Sequence, residues 1–245
     1  MKQCFPEGGS EQKKRIILDS PFFSRNTVSY GLIVHSLKTK RWLIVKRKHS
    51  TDFLFFMNGA YRISQLPFMI KNITDGERET ALRCLEDMEF FSKIYIDDLG
   101  LDADGLENAK IRMKESKDFA KALLNTLQLR HNEIKWTWPK GNPQSCARGE
   151  NPFDCALREF EEKVEAKLPS PSFLPDSYIV ETMRTINGVN LESRYWVYVI
   201  DEEIPVHTPI SHMEVSDRKW ASTKECAEVT NEDLLNRAIE MILEM

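Results

Sequence analysis

The stretch from Gly141 to Ala166 reads GNPQSCARGENPFDCALREFEEKVEA, and it decides how the rest of the chain is interpreted. Its second half predicts a helix. Asn151 is a good N-cap, Pro152 suits the first helical position, and Asp154 is favourable in the first turn. Apolar residues recur at helical spacing and predict a face that packs on a sheet: Phe153, Leu157, Phe160 and Val164. We expect this helix to reach about Lys167, with Pro169 ending it.

Two carboxylates share another face of this helix. Glu159 and Glu162 are three residues apart, a spacing that places side chains side by side. Carboxylates on a rigid helix opposite a glycine loop suit a hard cation such as Mg²⁺ or Mn²⁺. An acidic, solvated helix face is the alternative that the residues alone leave open.

The same segment resembles the Nudix box. In that pattern a Gly, five residues and a Glu are followed by seven residues and then Arg-Glu-apolar-any-Glu-Glu-any-Gly. Glu150 and the run from Arg158 to Glu162 fit it in register. Residues 138–141 (WPKG) and 154–159 (DCALRE) resemble the mRNA-decapping Nudix hydrolases, and residues 148–151 (RGEN) resemble the decapping enzymes of large DNA viruses.

The resemblance implies an α+β fold, a Nudix α/β/α sandwich with a mostly helical inserted domain. The strand-rich stretches 28–35 and 42–45 predict a hairpin before the insertion. Thr74 to Glu77 has the form of a capping box inside it. The expected divisions are an N-terminal arm (1–26), a first Nudix part (27–48), the helical insertion (49–130) and a second Nudix part (131–245).

For function, the resemblance implies removal of the 5′ cap of mRNA, releasing m7GDP and 5′-monophosphate RNA, with Mg²⁺ or Mn²⁺ as cofactor. Glu214 precedes Val215 and Trp220 in an element similar to one of the decapping enzymes, although it also suits a plain loop carboxylate. The implied catalytic residues are Arg158, Glu159, Glu162 and Glu214. The implied metal ligands are Gly141, Glu159, Glu162 and Glu214, with Glu150 and Lys163 in supporting positions.

Three departures from the box stand out. Gly141 lies nine residues before Glu150 instead of six, which indicates a longer loop around residues 145–147. Lys163 replaces a Glu that ligates metal in the family, and Glu165 replaces the final Gly. Three interpretations of Lys163 remain: the enzyme uses fewer ions, the residue is an altered one, or the chain has lost hydrolysis and kept binding.

Positive charge is concentrated at the start of the chain. Residues 1–48 hold 11 Lys and Arg against 3 Asp and Glu, although the whole chain carries a formal charge of −4. This pattern favours RNA as a ligand, or else a strand edge guarded by lysines. Residues 50–130 hold 11 basic and 14 acidic side chains and do not suit a general RNA clamp. The candidate RNA-binding residues are Lys38, Lys40, Arg41, Lys46, Arg47 and Lys48.

A methylated guanine is cationic and stacks between aromatic rings. The candidates for cap stacking are Phe53, Phe55, Phe56, Tyr61, Tyr178 and Trp196, each of which also suits an apolar core.

Two further functions stay open. A Nudix hydrolase of small molecules, such as inositol pyrophosphates or nucleoside diphosphate derivatives, uses the same box. A non-catalytic Nudix-fold module that binds RNA is consistent with Lys163.

The amino-acid composition excludes several classes of protein. With 41% apolar and 29% charged residues the chain is not a disordered, collagenous or rod-like protein. No apolar run is long enough for a bilayer, so no membrane partner is expected, and no secretory signal is apparent. Five cysteines without a CxxC pair favour a reducing compartment rather than disulfides or zinc. We therefore expect a cytoplasmic protein, in the host cytoplasm if viral, with capped mRNA as partner and no obligate protein partner.

Overall fold

The computed structural model of the chain describes residues 26–101, 103–130, 133–143, 150–184, 190–206 and 210–244. The predicted first hairpin is confirmed. Strand β1 (Asn26–Ser36) pairs antiparallel with β2 (Arg41–Arg47), with Val34 opposite Leu43. Residues 15–18 suit a short strand in the sequence, and Asn187-Gly188 is a hairpin-turn signal. Both stretches lie outside the described residues.

One mixed sheet organises the chain. The remaining strands are β3 (Trp136–Thr137), β4 (Lys140–Gly141), β5 (Ile179–Arg184), β6 (Asn190–Ile200) and β7 (Val215–Ser222). Their order is β3-β2-β1-β6-β5, with β4 paired to β1 and β7 to β2. Strand β1 runs parallel to β6 along its whole length and antiparallel to β2 and β4. This arrangement places the end of β4 and the start of β7 on either side of the central hairpin.

Strand β3 is shorter than the alternating residues 134–138 predict. Only Trp136 and Thr137 pair with β2. Pro139 interrupts the strand because it has no N–H to donate, and its carbonyl oxygen instead accepts from the Leu32 N–H at 3.2 Å.

Alternation along the strands gives the sheet two apolar faces. Leu32 and Val34 face helix α6 (Pro152–Val164), which contributes Phe160 and Val164 to that core. Ile33 points to the other face, against helices α7 (Thr223–Val229) and α8 (Glu232–Leu243). Helices cover both faces of a mixed sheet, so the predicted α+β fold and its α/β/α layers are confirmed.

The segment between β2 and β3 is helical. Its elements are α1 (Thr51–Met57), a 3₁₀ turn (Ile63–Gln65), α2 (Leu66–Asn72), α3 (Asp75–Glu86), α4 (Met88–Lys93), a π turn (Ile94–Asp98) and α5 (Ala103–Thr126). The capping box of Thr74 and Glu77 is confirmed. The Glu77 carboxylate also accepts from the Ser50 N–H at 2.6 Å, which ties α3 to the start of α1. These helices enclose a core that shares no residue with either face of the sheet. Among the described residues no helix combines the length and hydrophobicity of a bilayer-crossing segment.

His35 is a buried titratable residue on the central hairpin. It is 6% exposed, and its ring centroid lies 4.2 Å from that of Trp42. Its Nδ1 atom has no hydrogen-bond partner among the described residues. Burial, followed by the positive charge of Lys40, lowers the pKa of His35 from 6.5 to about 4.

The low pKa of His35 predicts a loss of stability in mild acid. Below pH 6.5 the unfolded chain binds a proton at His35 that the folded chain does not bind until about pH 4. The free energy of unfolding should therefore fall across this window, by at most about 3 kcal/mol from this residue. Urea denaturation at pH 7 and pH 4.5 measures the fall. A His35→Phe variant keeps a ring beside Trp42 and should lose less stability; an equal loss in both proteins would exclude His35 as its source.

Candidate functional site

Several elements meet at the C-terminal half of α6. Strand β4 ends there at Gly141, and the loop before β7 brings Glu214. The Lys48 N–H donates to the carbonyl oxygen of Glu214 at 2.8 Å, and the Ser216 hydroxyl donates to that of Arg47 at 3.0 Å. These bonds fix the Glu214 backbone beside the end of β2, so residues far apart in sequence form one site.

Gly141 lies directly against the carboxylate of Glu159. A Cβ atom on residue 141 would come within 1.9 Å of one carboxylate oxygen of Glu159 and 2.5 Å of the other. The Glu159 side chain is 9% exposed, so it has little room to move away. The requirement for Gly at this position is therefore steric: the carboxylate occupies the space of a side chain.

Arg158 lies at the centre of a group of carboxylates. Its guanidinium donates to Glu150 at 2.8 and 3.3 Å, to Glu159 at 2.9 Å and to Glu162 at 3.1 Å. It also donates to the Asn142 carbonyl oxygen at 3.3 Å, which connects the segment after β4 to the helix. The hydrogen bonds with Glu150 are the main cause that raises the pKa of Arg158, so the guanidinium stays charged.

Lys163 bridges two of the predicted metal ligands. Its Nζ atom lies 3.2 Å from an oxygen of Glu159 and 2.7 Å from an oxygen of Glu214. The Lys163 side chain is 11% exposed, whereas that of Glu214 is 55% exposed. The ammonium thus lies inside the group, while one carboxylate partner faces solvent.

The surroundings of Glu214 keep it ionised. Burial raises the pKa of Glu214, but the charge and hydrogen bond of Lys163, with a smaller effect of Arg47, outweigh it and leave the pKa below its usual value. His212 accepts from the Glu214 N–H at 3.1 Å through Nδ1. Burial and Lys163 lower the pKa of His212, which favours its neutral form at neutral pH.

The predicted metal set does not form an open metal site. Within the described ranges no three Asp, Glu, His or Cys side chains lie together as a group that could hold an ion. Lys163 lies between Glu159 and Glu214, and Arg158 holds Glu162 together with the other oxygen of Glu159. A divalent cation held by these carboxylates does not fit this arrangement of ion pairs, and the ligand set of Gly141, Glu159, Glu162 and Glu214 stays a prediction.

The end of α6 supports the register of the box. The helix stops at Val164, three residues before the expected Lys167, because Glu165 adopts the left-handed conformation with φ 52° and ψ 38°. This conformation favours Gly, the residue of the pattern at that position. The Glu165 carboxylate accepts from the Ser211 N–H at 2.8 Å and pairs with Arg218 at 3.3 Å. Arg218 also donates to the Val164 carbonyl oxygen, which supplies a hydrogen-bond donor to a carbonyl group at the C-terminal end of the helix.

The sequence therefore found most of this site but missed part of it. The structure brings Arg158, Glu159, Glu162 and Glu214 together with the supporting residues Glu150 and Lys163. His212 and Arg218 were not predicted, because single charged residues near β7 carry no recognisable spacing. The longer loop at residues 145–147 lies outside the described residues.

The six basic candidates fall into two groups. Lys38, Lys40 and Arg41 lie at the turn of the first hairpin, where Lys38 pairs with Glu202 at 2.6 Å. The other group, Lys46 to Lys48, lies at the far end of β2, about 20 Å away along the strand. Arg47 in this group interacts electrostatically with Glu214, so only the second group is next to the site.

The aromatic candidates divide by burial. Phe53, Phe56 and Tyr61 are 0–5% exposed in the core of the helical segment, and Phe55 packs against it. The first three are core residues and cannot stack on a base, which corrects that prediction. Tyr178 is 40% exposed, and its ring lies 5.3 Å from that of the buried Trp196.

These two rings belong to an aromatic shelf at the start of α6. The Trp196 ring also lies 5.7 Å from Phe153 and 6.2 Å from Tyr30. The Arg194 guanidinium lies 5.1 Å from the centroid of Tyr178. Phe153 and Glu159 are about 9 Å apart along the helix axis but lie on different faces of α6, so the shelf lies near the start of the helix and the carboxylates lie further along it.

The contact between Gly141 and Glu159 predicts the effect of a single methyl group. Gly141→Ala should displace the Glu159 carboxylate from Arg158 and Lys163 and lower the free energy of unfolding by about 1–3 kcal/mol. Urea denaturation measures the change. Gly76→Ala is the matched control, because Gly76 is exposed in α3 and nothing lies within 4 Å of the added Cβ. That control should be neutral or slightly stabilising, and equal losses in the two variants would contradict the contact.

No protein-family model matches the chain, and no curated protein matches it significantly. Solved structures do match. The chain is similar to an Ap4A hydrolase of C. elegans in a binary complex, with 13% identity over 89% of this chain and 98% of that one and a TM-score of 0.44. It is similar to the Nudix domain of Shewanella oneidensis NrtR complexed with ADP-ribose, with 10% identity over 96% and 99% and a TM-score of 0.44.

A third similar structure is a bifunctional NMN adenylyltransferase/ADP-ribose pyrophosphatase of Francisella tularensis, complexed with AMP and a Mn ion. Its identity is 14% over 95% of this chain and 44% of that one, with a TM-score of 0.44. Of these three structures, the one from Shewanella oneidensis is a Nudix domain by name. The narrower resemblance to viral decapping enzymes stays a prediction.

Proposed function

We propose that the chain is a Nudix pyrophosphohydrolase that acts on the 5′ cap of mRNA in the cytoplasm. The chemical class of substrate is a nucleoside diphosphate joined to a larger group through a phosphoanhydride. The products would be m7GDP and 5′-monophosphate RNA, because water cleaves the anhydride between the second and third phosphates of the 5′–5′ triphosphate bridge, counted from the methylated guanosine, and the third phosphate stays on the RNA.

One observation carries the proposal. The Gly, Arg and Glu residues of the box, which resemble the Nudix pattern in sequence, also contact one another in space. Gly141 lies against Glu159, and Arg158 joins Glu150, Glu159 and Glu162. An acidic helix face that was only solvated would not bury Glu159 under a glycine or surround one guanidinium with three carboxylates.

The side chains suit phosphoanhydride hydrolysis in two ways. Arg158 and Lys163 supply positive charge beside the position of a diphosphate. Glu214 is ionised and more than half exposed, so it can accept the proton of an attacking water.

Recognition of the capped RNA is assigned to the two surfaces beside the site. Lys46, Arg47 and Lys48 provide positive charge for the RNA backbone at the end of β2. The exposed ring of Tyr178, supported by Trp196, provides a surface on which a methylated guanine can stack.

A second candidate is a module that binds the cap without hydrolysing it. Lys163 favours this candidate, because it replaces an expected ligand and pairs with both Glu159 and Glu214. It predicts binding of capped RNA without turnover.

Cap-labelled RNA tests the proposal. In the presence of Mg²⁺ or Mn²⁺ the wild-type chain should release labelled m7GDP, and Glu214→Gln should slow the release by about 10²–10⁴-fold because the proton acceptor is lost. Glu240→Gln is the control, since it makes the same chemical change on an exposed position of α8. Bound RNA without release of m7GDP would favour the second candidate. Failure of uncapped RNA to compete would instead favour a small-molecule substrate.

The aromatic shelf makes a separate prediction for cap binding. Tyr178→Ala should weaken binding of m7GDP by about 5–100-fold, the effect of one stacking interaction of 1–3 kcal/mol. Phe68→Ala is a matched control, because Phe68 is also about 40% exposed and also lies near an arginine, Arg130. Fluorescence titration measures both. Equal affinities of Tyr178→Ala and the wild-type chain would remove the shelf from the proposal.

A further inference from the structure

Lys163 is the residue by which this site differs most in charge from the Nudix box, which has a Glu at this position. It follows Glu159 by one helical turn on α6, and Glu214 reaches it from the loop before β7. An ammonium group has three N–H donors and no acceptor. One of them donates to Glu214 at 2.7 Å, and the ammonium also forms an ion pair with Glu159 at 3.2 Å.

The ammonium lies where these two carboxylates would hold a cation. Oxygen ligands bind Mg²⁺ at about 2.0–2.1 Å, so an ion shared by Glu159 and Glu214 would lie between the same two oxygens. Lys163 Nζ already fills this space, with its side chain only 11% exposed. The ion and the ammonium exclude each other, both because they overlap and because their charges repel.

The neighbouring carboxylates offer no equivalent position. Glu162 faces solvent, but one of its oxygens pairs with Arg158 at 3.1 Å. Glu150 also pairs with Arg158, at 2.8 Å. Each described carboxylate of the site therefore already has a positively charged partner, so each would have to share its charge between that partner and an ion.

We infer that the ammonium of Lys163 takes the place of a divalent cation between Glu159 and Glu214. The inference rests on the proposed function only in taking these side chains as the site that binds a diphosphate. In this arrangement Lys163 holds the two carboxylates together, and a remaining N–H of the ammonium would donate to a phosphate oxygen of the ligand. The site should therefore bind a nucleoside diphosphate in the absence of divalent ions and should bind Mn²⁺ weakly.

Electron paramagnetic resonance of Mn²⁺ tests the first part of the inference directly. Lys163→Glu restores a carboxylate at this position and should bind Mn²⁺ at least tenfold more tightly than the wild-type chain. Lys167→Glu is the control, because it makes the same change in charge on an exposed residue just beyond α6. It should change the Mn²⁺ affinity by less than about twofold.

Two further variants keep the test decisive. Glu159→Gln combined with Lys163→Glu should lose the gained Mn²⁺ binding, because Glu159 supplies part of the site. If circular dichroism shows that Lys163→Glu is unfolded, Lys163→Gln replaces it, since removal of the ammonium alone should also tighten Mn²⁺ binding. The inference is overturned if the wild-type chain binds Mn²⁺ as tightly as the Lys163 variants and Glu159→Gln weakens that binding.

Calorimetry with GDP in EDTA tests the second part. The wild-type chain should bind GDP without metal, and Lys163→Gln should weaken the binding at least fivefold. Unchanged GDP affinity in Lys163→Gln would remove the role toward phosphate. These measurements do not involve the cap. If the chain neither binds nor hydrolyses capped RNA but shows the expected affinities for Mn²⁺ and GDP, the proposed function is wrong and the inference is supported.

Discussion

The buried carboxylate of Glu159 is the group on which the site depends. Gly141 covers it, Arg158 and Lys163 pair with its two oxygens, and the helix that carries it packs Phe160 and Val164 into the sheet. Burying a carboxylate costs free energy unless a positive charge pairs with it. The burial of Glu159 therefore requires the positive charges of Arg158 and Lys163. This constraint connects β4, α6 and the loop before β7, and it explains why one short stretch of sequence defines a site built from distant residues.

The local parts of the structure were predictable because their signals are local. The cap at Asn151, the apolar stripe of α6 and the first hairpin depend on neighbouring residues, and all three are confirmed. The sequence favoured burial of Phe53, Phe56 and Tyr61 over cap stacking but did not decide it, because an aromatic run suits both a core and a binding surface. The pairing of Lys163 with Glu214 joins residues 51 positions apart, and only the fold brings them together.

The sheet and the helical segment have separate apolar cores and separate structural roles. The sheet fixes the ends of β2, β4 and β7, where the charged side chains converge. The helices between β2 and β3 pack around their own apolar side chains and attach at Ser50 and Glu77, close to the basic end of β2. The contacts of Trp196 with Tyr178 and Phe153 place Tyr178 near the start of α6, whereas Lys163 lies near its end.

Anomalous diffraction from crystals soaked with MnCl₂ and m7GDP tests the central claim most directly. The predicted result is a diphosphate within hydrogen-bond distance of Lys163 or Arg158, with the methylated base on Tyr178 and no Mn peak between Glu159 and Glu214. A Mn peak coordinated by both of these carboxylates, with the Lys163 side chain displaced, would contradict it.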